Sequence, residues 1–350
     1  EVIPSPEMFL AAAGERTHRI NLGTGVVSLP YHNPYHVAQR IVQLDHMTNG
    51  RAILGTGPGA LASDAHMLGI DPMLLRDRQD EAIAVIRRLL AGERLTYECD
   101  WFNLYDAKLQ LLPVRGEIPQ TVASMVSPSG MTLAGKYGIG IMSIGSMSTA
   151  GLAALPLQWS FAEESAAKHG QVMDRSNWRV LMNWHIAETK EQARAEALQG
   201  LHRWHSEYTV GTLQRVGVEA WDTPEETLDQ LTATGGVLIG TPDDLIAAIR
   251  DMYELAGGFG TVIGFVNDFA HPEAITRSWD MVARYVLPEV NGMLNDFRES
   301  NTFVRENREY FERAGQAILA KINENERAAA ALHEVPTGAS AISSHSNHDA

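Results

Sequence analysis

Residues 20–59, INLGTGVVSLPYHNPYHVAQRIVQLDHMTNGRAILGTGPG, decide the fold. They read as strand, polar loop, amphipathic helix, strand and glycine-rich loop, which is one βαβ unit. Residues 20–27 show no alternation, as expected of a strand covered on both faces. Pro34 suits a first helical position. Val37, Ile41, Leu44 and Met47 then mark a buried stripe at spacings of four, three and three. Gly50 is placed to end that helix, and residues 51–57 form the second strand. The loops that end the two strands fall on one side of a parallel sheet, where α/β proteins place their chemistry.

The same alternation extends outward. Upstream, residues 8–13 read as a helix. Downstream, residues 58–72 read as a polar loop and 73–91 as a helix with Ile83, Ile86 and Leu90 on its apolar face. Residues 95–112 suggest a hairpin excursion. Strands are expected at 121–124, 139–144, 179–187 and 261–266, and helices at 129–137, 152–169, 242–255 and 273–287. Thr189 with Gln192 makes a capping box for a further helix, whereas 213–236 has no clear periodicity. Strands alternate with helices six times, which means a parallel sheet with right-handed crossovers. With no composition shift, a barrel over residues 1–292 is favoured over two domains. A helical extension at 293–335 and a disordered Ser/His/Ala-rich tail at 336–350 follow. An eight-unit barrel needs two more strands. The chain opens at Glu1 rather than methionine, so upstream sequence is expected to be missing.

The chain has 350 residues, 45% of them hydrophobic, enough for a large core. Its formal charge of -15 comes from scattered acids, with no basic stripe to neutralise phosphates, which argues against a nucleic-acid partner. Cys99 is the single cysteine, so no internal disulfide is possible, no zinc spacing exists, and a reducing cytoplasm is the expected location. Residues 137–162 are uncharged, but Gly138, Gly140, Gly145, Gly151 and Pro156 interrupt them. Strand, loop and helix fit that run better than a membrane span.

The functional face of such a barrel is its set of strand-to-helix loops, here 28–33, 57–72, 125–129, 145–151, 184–188 and 267–271. Val126-Ser127-Pro128-Ser129-Gly130 runs straight into a helix, so its hydroxyls and free N–H groups make an anion site. A simple N-cap is the plainer alternative. Gly55, Gly57 and Ala60 satisfy G-x-G-x-x-A, yet a dinucleotide loop should open a helix at once and 61–72 reads as loop. His32, His66, His185 and His271 lie near the functional face and read as polar loop residues. Asp45 and Arg51 read as structural partners, and Trp101, Phe102 and Tyr105 as hairpin packing. No Ser/His/Asp or Cys/His arrangement supports nucleophilic hydrolysis.

Residues 22–27 (LGTGVV), Leu29-Pro30, 32–34, 44–47 (LDHM) and Gly50-Arg51 resemble the bacterial luciferase-like flavin-dependent monooxygenases, and most of all the limonene monooxygenase type. The likeness runs over residues 3–292. It implies a (β/α)8 TIM barrel lacking its first two strands here. It also implies reduced FMN supplied by a separate flavin reductase, O2 adding at the flavin C4a to give a C4a-peroxyflavin, and oxygenation of a small apolar substrate (terpene, aldehyde or ketone). A homodimer is implied as well. Ser127, Ser129 and Gly130 match the FMN phosphate site and Gly57 a position beside the isoalloxazine edge. Gly25 and Val26 match a non-proline cis peptide under the ring. Pro58 replaces the family's phosphate-binding arginine, leaving that charge to Arg78 or Lys136. The family's active-site histidine belongs to a strand upstream, so no catalytic residue is assigned. Residues 213–236 match a lid. The alternatives are a deazaflavin (F420)-dependent dehydrogenase on the same barrel and a non-catalytic flavin-binding subunit.

Overall fold

The computed structural model describes residues 5–125, 127–144, 149–213 and 218–333, which divide into two units, Glu1–Val290 and Asn291–Ala350. In the first unit, α1 (Pro6–Gly14) precedes β1 (Leu22–Gly23) and β2 (Val27–Ser28). Asn33 caps α2 (Pro34–Met47), its side chain accepting the Tyr35 N–H at 2.9 Å. There follow β3 (Ala52–Gly57), α3 (Ala62–Met67), α4 (Leu75–Leu90) and the antiparallel hairpin β4 (Leu95–Glu98) and β5 (Asn103–Ala107). Then come β6 (Gln120–Ser124), α5 (Ser129–Tyr137), β7 (Gly140–Ser143), α6 (Thr149–Lys168), β8 (Trp178–Met182) and β9 (Trp184–Ile186). The unit continues through α7 (Lys190–Arg203), α8 (Pro224–Ala233), β10 (Leu238–Gly240) and α9 (Pro242–Ala256). It closes with β11 (Thr261–Gly264), α10 (Pro272–Met281) and α11 (Leu287–Val290).

The main sheet runs β1–β3–β6–β7–β8–β11, parallel throughout, with β2 also on β3. These positions are the six strands expected from the sequence. Strand β10 was not expected; it pairs only with β9, outside the main sheet. The sheet is curled. A Cβ added at Gly25, between β1 and β2, would lie 4.0 Å from the Met142 methyl on β7. Three strand spacings would separate them by about 14 Å on a flat sheet, more than a methionine side chain spans.

The outer face carries the core. Ile41 of α2, Leu54 of β3, Ile83 of α4, Met131 of α5, Ile141 of β7 and Trp159 of α6 are each no more than 1% exposed. Each such burial is worth about 1.5–3 kcal/mol before the entropy of ordering is charged against it.

Several expectations need correction. Met47 of the α2 stripe is exposed, because the stripe drifts off the core over four turns. Residues 62–67 are helical, but Gly55 and Gly57 lie inside β3 and α3 is only six residues long. The region 213–236 contains α8, capped by Thr223 accepting the Glu226 N–H at 3.2 Å. Residues 184–186 are strand, in keeping with the strand expected at 179–187, so the loop expected at 184–188 starts later than its first residue. Thr189 accepts the Gln192 N–H, yet the Gln192 side chain goes forward to Glu196, so only half of a capping box forms. The complete box is at α9, between Thr241 and Asp244. Asp45 and Arg51 serve different partners: Asp45 accepts the Val114 N–H at 2.8 Å, and Arg51 binds the carbonyls of Gly14, Thr17, Ile20 and Thr48.

The second unit holds α12 (Asn295–Glu306), α13 (Arg308–Asn323) and α14 (Glu326–His333). The tail expected at 336–350 lies outside the described residues. No helix among the described residues is long and apolar enough to cross a membrane.

Candidate flavin site

Two features meet on the side where the parallel strands end. The first is a break in the first strand position. Gly23 pairs with Ile53 and Val27 with Thr56, so four residues on one strand run against three on the other, a one-residue bulge. Thr24, 3% exposed, fills the gap in the ladder. Its hydroxyl donates to Gly55 O at 2.7 Å and accepts the Gly55 N–H at 2.9 Å. The next bond, Gly25–Val26, is cis. Strand β3 must be bare to approach this bulge. A Cβ on Gly55 would collide with the Thr24 carbonyl oxygen, and one on Gly57 would lie 2.8 Å from Val26 Cγ2. Gly25, Val26 and Gly57 are thus brought together.

The second feature is the start of α5. The residue before it, Pro128, is the N-cap and offers no side-chain cap. Ser127 Oγ and Ser129 Oγ instead bond to each other at 2.9 Å, beside first-turn N–H groups with the positive end of a helix dipole. The plain N-cap alternative therefore does not describe this loop. Gly130 is a contact glycine: a Cβ there would lie 2.7 Å from Ala123 O, so only glycine seats α5 against the end of β6. Val126 lies outside the described residues, as do residues 145–148 of the neighbouring loop, with Gly145 and Met147.

From α4 come two groups that sequence reasoning missed. Arg76 Nε donates to Ser129 Oγ at 3.3 Å. Gln79, 3% exposed, has no partner for its Nε2 among the described residues. Both line a cavity of about 410 Å³ together with Ser127, Ser129, Thr132 and Lys136. Of the cations expected to serve here, Arg78 is turned to the hairpin, and Lys136 lines the cavity but is paired with Asp80 there. Arg78 lies 3.7 Å from Asp100 and stacks over Trp101, and Lys136 Nζ is 2.7 Å from Asp80. Tyr137 also donates to Asp80, at 2.5 Å; burial, then that bond, pushes its phenol well above the usual range.

The four histidines do not converge. His66 and His271 are exposed, the latter paired with Glu273. At His32, desolvation and then the Arg40 charge hold the imidazole below its usual range. His185 is 3% exposed on β9, with Nε2 2.9 Å from Glu196 Oε2. Glu196 also receives Gln192 and Arg277, which makes this an internal brace between β9, α7 and α10. Trp101 and Phe102 pack in the hairpin, edge to face at 4.7 Å, but Tyr105 is exposed. Glu81, Cys99 and Asp100 cluster within 4.8 Å. Both Glu81 oxygens accept bonds, from Tyr97 and Trp101, and Cys99 donates to Phe102 O, so the cluster is already satisfied internally.

Known proteins resemble this chain in sequence and fold. The family model described as "Luciferase-like monooxygenase" matches residues 1–258. The chain is 46% identical to 4-hydroxyprotoasukamycin monooxygenase of Streptomyces nodosus subsp. asukaensis, over 87% of this chain and 83% of the relative. It is 43% identical to limonene 1,2-monooxygenase of Rhodococcus erythropolis, over 94% of this chain and 84% of the relative. A solved structure of the oxygenating constituent of 3,6-diketocamphane monooxygenase from Pseudomonas putida, in complex with FMN, superposes with a TM-score of 0.67. It is 25% identical, covering 81% of this chain and 84% of that one.

Proposed function

This chain belongs to the luciferase-like monooxygenase family, and we propose that it uses reduced FMN and O2 to oxygenate a small apolar substrate. The observation that carries this is the cradle at α5. A buried amide donor without a partner among the described residues, an arginine, two hydroxyls and a helix N-terminus surround one cavity, with Asp80 of its lining neutralised by Lys136 and Asp77 also at its wall. That donor set suits a phosphate dianion. Ser127, Ser129, Arg76 and Gln79 would hold the FMN phosphate, with the N–H groups around Gly130. Gly25 and Gly57 carry no side chain and leave room for the ring at the strand ends beside Val26. Bound reduced flavin supplies two electrons, so that one atom of O2 enters the substrate and the other leaves as water. The fold that goes with this reading is a (β/α)8 barrel.

The apolar substrate class is supported by the names of the relatives, which refer to limonene and a diketocamphane. A separate reductase as flavin donor is supported by the FMN-bound relative, which is described as an oxygenating constituent. The test has two stages. The purified chain is titrated with FMN, then given reduced FMN, ¹⁸O2 and a panel of terpenes, aldehydes and ketones. One ¹⁸O atom per product molecule is expected. Absence of FMN binding, or label arriving from water instead, refutes the proposal.

A further inference from the structure

Gln158 sits on α6, 1% exposed, far along the chain from the cradle. Its Nε2 donates to the Met125 carbonyl at 2.6 Å. Met125 follows the last residue of β6 and opens the loop that carries Ser127 and Ser129. The other end of the amide, Oε1, is buried and has no partner among the described residues. A half-satisfied buried amide is costly, and a leucine would fill similar space without that cost. The group is therefore best explained by what its one bond does.

We propose that Gln158 is a positioning residue for the anion loop, acting through the Met125 carbonyl; this rests on the flavin reading above. Holding the Met125 carbonyl toward α6 anchors the chain where it leaves β6, four residues before the first residue of α5. The substitution acts on the phosphate-bearing end of the flavin and leaves the ring end unchanged.

The test compares FMN with riboflavin, which lacks the phosphate, by equilibrium fluorescence titration of wild type, Gln158→Leu and Gln158→Met. Loss of one well-formed buried bond corresponds to roughly a tenfold change. Both variants are expected to bind FMN about tenfold more weakly and riboflavin unchanged. Gln158→Met keeps a similar unbranched volume, adds no charge and removes the donor, so it serves if Gln158→Leu does not fold, which thermal melting of the flavin-free protein reveals. Unchanged FMN affinity, or equal weakening for both flavins, overturns the positioning role. If wild type binds riboflavin and FMN equally, the phosphate cradle itself fails and this role falls with it.

Discussion

Gln79→Leu should change two measurements in opposite directions. The side chain is 3% exposed, and its Nε2 meets no acceptor among the described residues. A buried donor left unmet costs about 1–3 kcal/mol. Leucine has similar volume and no donor, so the flavin-free protein is expected to gain about 1 kcal/mol, which is roughly 2 °C in Tm for a unit of this size. With FMN bound the balance reverses. A hydrogen bond to a charged oxygen is worth about 1.5–3 kcal/mol, so FMN should bind roughly 10–150-fold more weakly. Riboflavin should bind as to wild type. Differential scanning calorimetry without flavin gives the first quantity, and fluorescence titration the second. A merely structural glutamine predicts a lower Tm and unaltered FMN affinity; that pair of results would refute the phosphate role.

Three further outcomes follow from other parts of the molecule. Arg76→Ala should weaken FMN about tenfold at low salt, and the gap should narrow in high salt because this guanidinium is exposed; a salt-independent gap would contradict it. Gly130→Ala places a Cβ 2.7 Å from Ala123 O and 2.9 Å from Ser124 Cα, backbone atoms that cannot move cheaply. It should cost about 1–3 kcal/mol in denaturant melts, and an unchanged midpoint would contradict that packing. At Glu196, desolvation raises the pKa, but the bonds from His185 and Gln192 and the Arg277 charge outweigh it, so the folded value lies below the usual one. The stability it contributes is thus present above the unfolded pKa of about 4.3 and lost as pH falls through the folded value. Glu196→Gln should flatten that acid limb in denaturant titrations below about pH 5; an identical limb would show that the brace does not couple to pH.

What was legible in the sequence divides by range. The repeating unit was legible because strands covered on both faces and helices with one apolar stripe carry their pattern locally. Strand β10 was not, since three residues cannot establish a period, and α8 was obscured by its polar composition although Thr223 and Glu226 stand at capping distance. The serines around Pro128 drew attention because serine before a helix has a local reason, whereas the contact of Gly130 with β6 has none in the sequence. The charge that faces the serines was not legible, because it arrives from α4, about fifty positions upstream, and a sequence does not say which face of α4 meets α5.

Even so, the choice between Arg76 and Arg78 reduces to helical geometry. Residues two apart on a helix point about 200° apart and cannot serve the same neighbour. Asp80 of α4 bonds Lys136 and Tyr137 of α5, which fixes the α5-facing side of α4. Arg76 lies four residues before Asp80 and shares that side; Arg78 lies two before it and is turned to the hairpin, where Asp100 and Trp101 receive it. One known contact on α4 is therefore enough to move the expected phosphate partner from Arg78 to Arg76. The expectation of Arg78 or Lys136 lacked the rotation of α4, which turns Arg78 to the hairpin and Arg76 to Ser129.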